Sequence, residues 1–377
     1  MNIIQKKLID IKQNTEQFEM IGNISFCMYY AIMVIIKTFG YVSYETFFKI
    51  AFVMAVVCLA VKVLTTKYTM REFLILYLLL AVSAVCWLRV GEKNVLFITM
   101  SLWGMKNIRF DTLMKSTVWI RVIGTLLMIM LAFCGVLDLQ ANTAVATDFS
   151  IYSVFAFGYI KSNAAYYMIF VTIAIVLYIQ YEKLNFWYFA VSAAVCLLAF
   201  EATFCRTGLI VFFAMWALII LDKLSKNKKY YQLLTVTTAG VFIISWIWMV
   251  IYKINNTFMF RINRMLSGRI EITNNYYKAY GMTLFPKTVN IFWDMNYTTI
   301  DMYLFISCGA LFTILFVYWA SRSQWKMYSN GYYREIIFFT IFAVYAVLEQ
   351  SPMNPILNPF ILFTANLVYK NYTVRER

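Results

Sequence analysis

Of the chain's 377 residues, 62% are hydrophobic and only 14% charged, and the mean hydropathy is +0.69. Soluble domains carry about a quarter charged residues and under half apolar ones, so the composition excludes that class and divides the chain into membrane spans. The net charge of +15 must then be sorted by side of the bilayer before it suggests nucleic acid, and seven scattered cysteines with no histidine speak against zinc, haem or a disulfide framework.

No cofactor, metal or nucleic-acid partner is expected. The first 22 residues are polar and hold three lysines, which predicts a cytoplasmic segment over 1–23 and an uncleaved first span rather than a signal peptide. Apolar runs then predict spans near 24–44, 46–61, 73–90, 94–105, 116–137, 165–181, 186–204, 207–221, 233–252, 300–319, 335–349 and 356–369. The fourth is short enough to be tilted or interfacial. Continuous runs of about 20 apolar residues suit helices, whose backbone bonds are internal; a lipid-facing barrel needs short alternating segments. The expected fold class is all-α: a single polytopic membrane domain over 1–377 with about twelve transmembrane helices, closing on a cytoplasmic tail at 370–377.

The distribution of Lys and Arg tests the scheme independently. With a cytoplasmic N-terminus, 20 of the 33 basic residues fall on inner segments, of which LDKLSKNKKYY (221–231) is the clearest. Lys37 and Arg121 fall within spans, and with Arg89 they are read as snorkelling toward span ends. Six of the remaining basic residues gather in one outer loop, 253–299: Lys253, Arg261, Arg264, Arg269, Lys278 and Lys287. Against them stand only Glu271 and Asp294. A long loop that breaks the positive-inside trend reads as functional. A second outer segment, 138–165, is nearly uncharged, with Lys161 toward its end. The segment SPMNPILNPF reads as Pro/Asn punctuation of the last outer turn.

No Walker A loop, GxGxxG, GxSxG or HExxH motif occurs, so the chemistry rests on arginines and carboxylates at the outer face. The stretch RINRMLSGRIEITNNYYKAYG (261–281) is amphipathic, and Ser267-Gly268 predicts a break into two short helices. Its arginines suit bidentate phosphate or carboxylate contacts; the bland alternative is an interfacial helix on lipid headgroups. Arg206 lies in the minimal turn TFCRTG, where pairing with Glu201 is the structural alternative to a ligand role. Asp301 opens a span and Glu349 closes one. Either carboxylate is a candidate base, although Asp301 also suits a helix N-terminus on macrodipole grounds alone.

Four pieces in order, KSNAAYYMIF (161–170), FCRTGLIVFFAMWALI (204–219), MLSGRIEITNNYYKAYGMTLF (265–285) and TTIDMYLFISCGALF (298–312), resemble the O-antigen polymerase and ligase superfamily, most closely the Wzy-type polysaccharide polymerases. The likeness covers residues 160–360 in arrangement. It departs where the ligase branch carries histidine, here Asp301, and in the Arg269-to-Gly281 spacing. What the resemblance implies is a metal-independent, GT-C-like glycosyltransferase of the bacterial cytoplasmic membrane, with both termini cytoplasmic. Its substrates would be oligosaccharide repeat units on undecaprenyl diphosphate, and its partners membrane lipids, a flippase and a chain-length regulator. Arg206, Arg269 and Arg264, with Arg261, Lys161 and Tyr303, would bind diphosphate or glycan, and Asp301 or Glu349 would be catalytic. A lipid-linked oligosaccharide flippase is the rival, and it should carry charges deeper in its spans. An O-antigen-ligase-type transferase is a second.

The orientation makes a direct prediction. A cysteine introduced at Asn275 reacts with an impermeant thiol reagent on intact cells lacking native reactive thiols, and one introduced at Asn227 does not; the opposite labelling pattern would invert the topology.

Overall fold

The computed structural model describes residues 3–39, 45–91, 93–139, 141–145, 151–266, 268–289, 299, 302–349, 351–370 and 372. Asp301 and Asp294 lie outside the described residues, as does most of the C-terminal tail. The first half of the chain forms α1 (Ile3–Phe39), α2 (Glu45–Thr65), α3 (Met70–Val90), α4 (Asn94–Gly104), α5 (Phe110–Phe133), strands β1 (Ala141–Val145) and β2 (Ile151–Phe155), and α6 (Ser162–Ile179). The second half forms α7 (Phe186–Thr203), α8 (Arg206–Leu224), α9 (Tyr230–Ile251), α10 (Thr257–Met265), α11 (Arg269–Tyr280), α12 (Ala310–Ser329), α13 (Tyr333–Leu348) and α14 (Ala365–Val368).

Eight of these helices are long and apolar enough to cross a membrane: α1 from Glu16, α2, α3, α5, α6, α7, α8 and α9. The chain is a multi-pass, predominantly helical membrane protein. The packing supports the same conclusion. The apolar window of α2 has a mean hydropathy of 2.4, yet only 22% of it is buried. Val53, Val57 and Leu64 on α2 all face outward. An outward apolar belt of this kind is stable against lipid tails and unstable against water.

α1 packs against α2 and α5, while α9 packs against α12 and α13, and α13 also against α8. Several polar groups inside the bundle pair across helices, as the absence of water favours. Ser83 on α3 and Thr99 on α4 share a hydrogen bond of 2.6 Å, and Gln324 Nε2 donates to Thr340 Oγ1 at 2.8 Å between α12 and α13. Lys62 is fully buried; its Nζ donates to Asn23 Oδ1 (2.6 Å) and to the Lys106 carbonyl (2.7 Å), tying α1, α2 and the end of α4 together. The 11 residues of α4 span roughly 16 Å, too short to cross a bilayer, in line with the short fourth run.

Two departures from the sequence reading have physical causes. Part of the segment 138–165 is an antiparallel hairpin, Ala141 pairing with Phe155 and Val145 with Ile151, in short strands that hold β-branched and aromatic residues. The larger departure follows α13. The apolar run 356–369 is not one helix: Ser351–Met353 and Pro359–Thr364 form 3₁₀ turns, and α14 has only four residues. Nearly every residue from Pro352 to Tyr369 is buried. Pro352, Pro355 and Pro359 cannot donate, so the segment does not close an α-helical ladder.

Four of its carbonyls accept from side chains, three of them on other helices. Tyr30 Oη donates to Pro355 O at 3.1 Å, Tyr167 Oη to Leu357 O at 3.3 Å, Asn358 Nδ2 to Pro352 O at 2.9 Å, and Arg121 to Ile356 O at 2.5 Å. Arg121 stands halfway along the 24-residue α5 and is 0% exposed. It does not snorkel: the broken segment supplies acceptors at that depth.

Replacing Arg121 by leucine removes the donor from a buried carbonyl, a loss of about 1–3 kcal/mol. The thermal midpoint of the detergent-solubilised Arg121→Leu protein should fall accordingly. An unchanged midpoint would show that the Ile356 carbonyl needs no guanidinium.

Candidate functional site

The loop helices form because their ends are well signalled. Asn256 caps α10, its Oδ1 accepting from the N–H groups of Phe258 and Met259 at 3.1 Å each. Gly268, at φ 79°, takes the left-handed turn that separates α10 from α11, at the predicted break. Asn263 then locks the two together: its Oδ1 accepts from the Glu271 N–H, and its Nδ2 donates to Glu271 Oε2 at 3.0 Å and Tyr252 Oη at 3.1 Å. Asn274 Nδ2 donates to Met249 O at 2.7 Å, seating α11 on α9.

This scaffold puts Arg269, the first residue of α11, against the end of α13. Its guanidinium donates to the Leu348 carbonyl and to Glu349 Oε1, and only 9% of its side chain is exposed. A helix C-terminus carries unsatisfied carbonyls and negative potential, which disfavours a carboxylate there. Arg269 answers both, bonding a last-turn carbonyl and neutralising Glu349. Burial pulls the Arg269 pKa down, but the charge of Glu349 and the hydrogen bond to it outweigh burial, so the net direction is up.

A third element completes the junction: Asn163 Nδ2, in the first turn of α6, donates to Glu349 Oε1 at 3.3 Å. The turn before α8 is pressed against the same place. A Cβ on Gly208 would lie 2.3 Å from Tyr166 Cε1 and 2.8 Å from Tyr345 Oη, so only glycine lets α8 approach this closely. Cys205 lies 4.0 Å from Tyr345 Oη and feels the charges of both Glu349 and Arg269. Arg206 follows it in sequence, half-buried, with its guanidinium 5.4 Å from the Phe204 ring. Glu201, its expected partner in the structural alternative, is exposed.

Beside Arg269 lies a groove of about 190 Å³ between α9, α11 and α13, walled by Ile244, Trp248, Ile270, Val347 and Leu348. Ile244 is 55% exposed, so the groove opens to the outer surface of the bundle. A buried cation at the end of an apolar, laterally open groove can accommodate an anion carrying a hydrocarbon chain.

The other expected residues separate. Lys161, which precedes α6, and Arg261 on α10 are exposed, and Arg264 lies 5.8 Å from the Phe260 ring. Tyr303 is 0% exposed, within a wide π-type turn over Met302–Cys308. Asp301 lies outside the described residues.

One cluster escaped the sequence reading. Arg334, at the other end of α13, donates to Asp111 Oδ1 at 3.0 Å, to Glu335 Oε1 at 3.2 Å and to Tyr178 Oη at 3.0 Å. Tyr178 Oη in turn donates to Asp111 Oδ1 at 2.8 Å. Adjacent Arg334-Glu335 at the start of an apolar run is the sequence signal for it.

The Arg269–Glu349 pair predicts an asymmetric mutational response. Glu349→Gln leaves a buried guanidinium without its countercharge, a loss of about 3–5 kcal/mol, while the double variant Arg269→Met/Glu349→Gln should recover much of it. Thermal midpoints of the purified single and double variants measure this; additive losses would show that the two do not interact.

No protein-family model, no curated protein and no solved structure matches this chain.

Proposed function

We propose that this protein is a polysaccharide polymerase of the bacterial cytoplasmic membrane, a metal-independent GT-C-like glycosyltransferase of about twelve spans with cytoplasmic termini. It would join oligosaccharide repeat units carried on undecaprenyl diphosphate. The observation that carries the reading is the Arg269–Glu349 pair, whose arginine lines the apolar groove.

In the reaction, a hydroxyl oxygen of the acceptor unit attacks the anomeric carbon of the donor glycan. The bond from that carbon to the diphosphate oxygen breaks, the diphosphate leaves with the electron pair, and the hydroxyl proton passes to a carboxylate. The isoprenoid chain runs along the Ile244–Trp248 groove, and the diphosphate takes the Arg269 guanidinium, with Arg206 beside it. Permanently charged, planar donors suit this leaving group.

Diphosphate and Glu349 compete for the same guanidinium. Binding of the donor therefore releases the Glu349 carboxylate, held meanwhile by Asn163, toward the acceptor hydroxyl. Asp301 is the other candidate base. A flippase reading draws on one observation, the irregular buried segment 351–368 with Arg121 at mid-depth, since broken spans line substrate sites in many transporters.

Arg269→Lys keeps the charge and loses the two-pronged geometry, so polymer yield at matched membrane abundance should fall roughly a hundredfold, the worth of about 3 kcal/mol in the transition state. Cells lacking the protein should accumulate single lipid-linked repeat units at the outer leaflet, open to added glycosidase. Protected units would favour the flippase, and full polymer yield from Arg269→Lys would remove the loop from the chemistry.

A further inference from the structure

A second cavity lies away from the Arg269–Glu349 junction, at the basic end of the bundle. It holds about 550 Å³ between α1 and the start of α5, within the range of roughly 300–1,000 Å³ typical of small-ligand sites. Two different surfaces meet in it. Ile24, Cys27, Met28 and Ala31 of α1 make an apolar wall, and Ile24 and Met28 are more than half exposed, so this wall continues onto the outer apolar surface. Opposite stand Asn107, Arg109, Thr112 and Ser116; Arg109 immediately precedes α5, and Thr112 and Ser116 lie one turn apart on it.

The charged residue in the described lining is basic. It is Arg109, and Lys62 stands behind Asn23, whose Oδ1 accepts from Lys62 Nζ at 2.6 Å. That bond engages the amide's acceptor end and leaves its NH₂ end as the one to donate into the cavity. Among the described residues that line the cavity none is a carboxylate, and Glu19, one turn before Asn23 on α1, stands near Lys62. The nearby acid Asp111 is held instead by Arg334 and Tyr178. Asn23 is the last residue before the first apolar run, 24–44, so the polar and apolar walls meet where the sequence places the membrane boundary.

We propose that this cavity is a binding site for an anionic phospholipid of the inner leaflet, its phosphate held by Arg109 with Asn23 and Ser116 and its acyl chain laid along Ile24, Met28 and Ala31. The site is independent of the polymerase reading and needs only the orientation set by the basic residues. A basic pocket between helices at the cytoplasmic boundary suits such a headgroup, and the exposed apolar wall favours a ligand with a chain over a soluble phosphate.

The test uses the full-length protein in nanodiscs of equimolar phosphatidylglycerol and phosphatidylcholine, with native mass spectrometry of the lipids it retains. The wild type should retain phosphatidylglycerol over phosphatidylcholine by roughly fivefold, the worth of one interfacial cation. Arg109→Gln should bring the ratio near one, Arg109→Lys should keep most of it, and Ala31→Trp, which fills the cavity, should lower retention of both lipids. Arg109 is exposed, so its variants should fold as the wild type does. Maleimide labelling of Cys27 gives a second reading: phosphatidylglycerol should slow it relative to phosphatidylcholine, while Cys134, exposed at the far end of α5, should be unaffected. Equal retention of the two lipids by the wild type, or a preference that survives Arg109→Gln, would overturn the proposal. Inorganic phosphate protecting Cys27 in phosphatidylcholine nanodiscs as well as phosphatidylglycerol does would overturn it too, assigning the site to a soluble phosphate compound.

Discussion

Past Leu348 the backbone runs buried without a continuous α-helix, and the carbonyls it leaves unpaired need donors, because a bilayer core offers no water. Tyr30 from α1, Arg121 from α5 and Tyr167 from α6 donate to successive carbonyls of Pro355, Ile356 and Leu357. Arg269 from α11 does the same for Leu348, at the point where the helix stops. A local requirement of one short segment therefore fixes the positions of four helices. The three prolines that prevent a continuous helix are the origin of the requirement.

The same constraint shapes the chemistry available at the Arg269 junction. A buried ion pair contributes little net stability, but removing one partner is expensive, because the other charge stays in a poor solvent. A neutral sugar cannot displace Glu349 from Arg269, since it would leave the guanidinium uncompensated. A diphosphate can, since it brings charge and acceptor oxygens in a geometry that a guanidinium matches. Selectivity for an anionic group, on the proposed reading, follows from the desolvated state of the pair. The groove beside it then favours anions with an apolar tail.

Much of this was legible in the sequence, and the illegible parts share a cause. Hydropathy found the long helices, because each buries its own backbone bonds and needs only apolar side chains. Gly268 marked the break between α10 and α11, because a left-handed turn needs a residue without Cβ. Arg269 and Glu349 stood out separately, one as a cation in a loop of unusual charge and one as an acid at an unfavourable helix end. Their contact joins residues 80 positions apart, and nothing local encodes it. The Asp111–Arg334 bond spans 223 positions and was missed outright. For 356–369 the error was different in kind: mean apolarity is the same for a buried 3₁₀ segment and for a span, and only the prolines separate the two. Arg121 was misread with it, since a mid-span arginine looks like a snorkeller until its acceptors are known.

The location of the deep charges bears on transport against group transfer. A carrier needs a site that both sides reach in turn, and ionisable groups at mid-depth usually mark one. Arg121 sits at such a depth, but it is wholly enclosed, and its bond to the Ile356 carbonyl would have to break before a substrate could use it. The Arg334 cluster is likewise closed on itself by Asp111, Glu335 and Tyr178. It lies at the opposite end of α13 from Arg269, a helix of 16 residues and so roughly 24 Å long. Glycosyl transfer at one face needs no site reached from both sides: it asks for a cation, a carboxylate it can release and an apolar groove at a single end. The Arg269 junction holds those three together, and on that ground transfer is the stronger proposal.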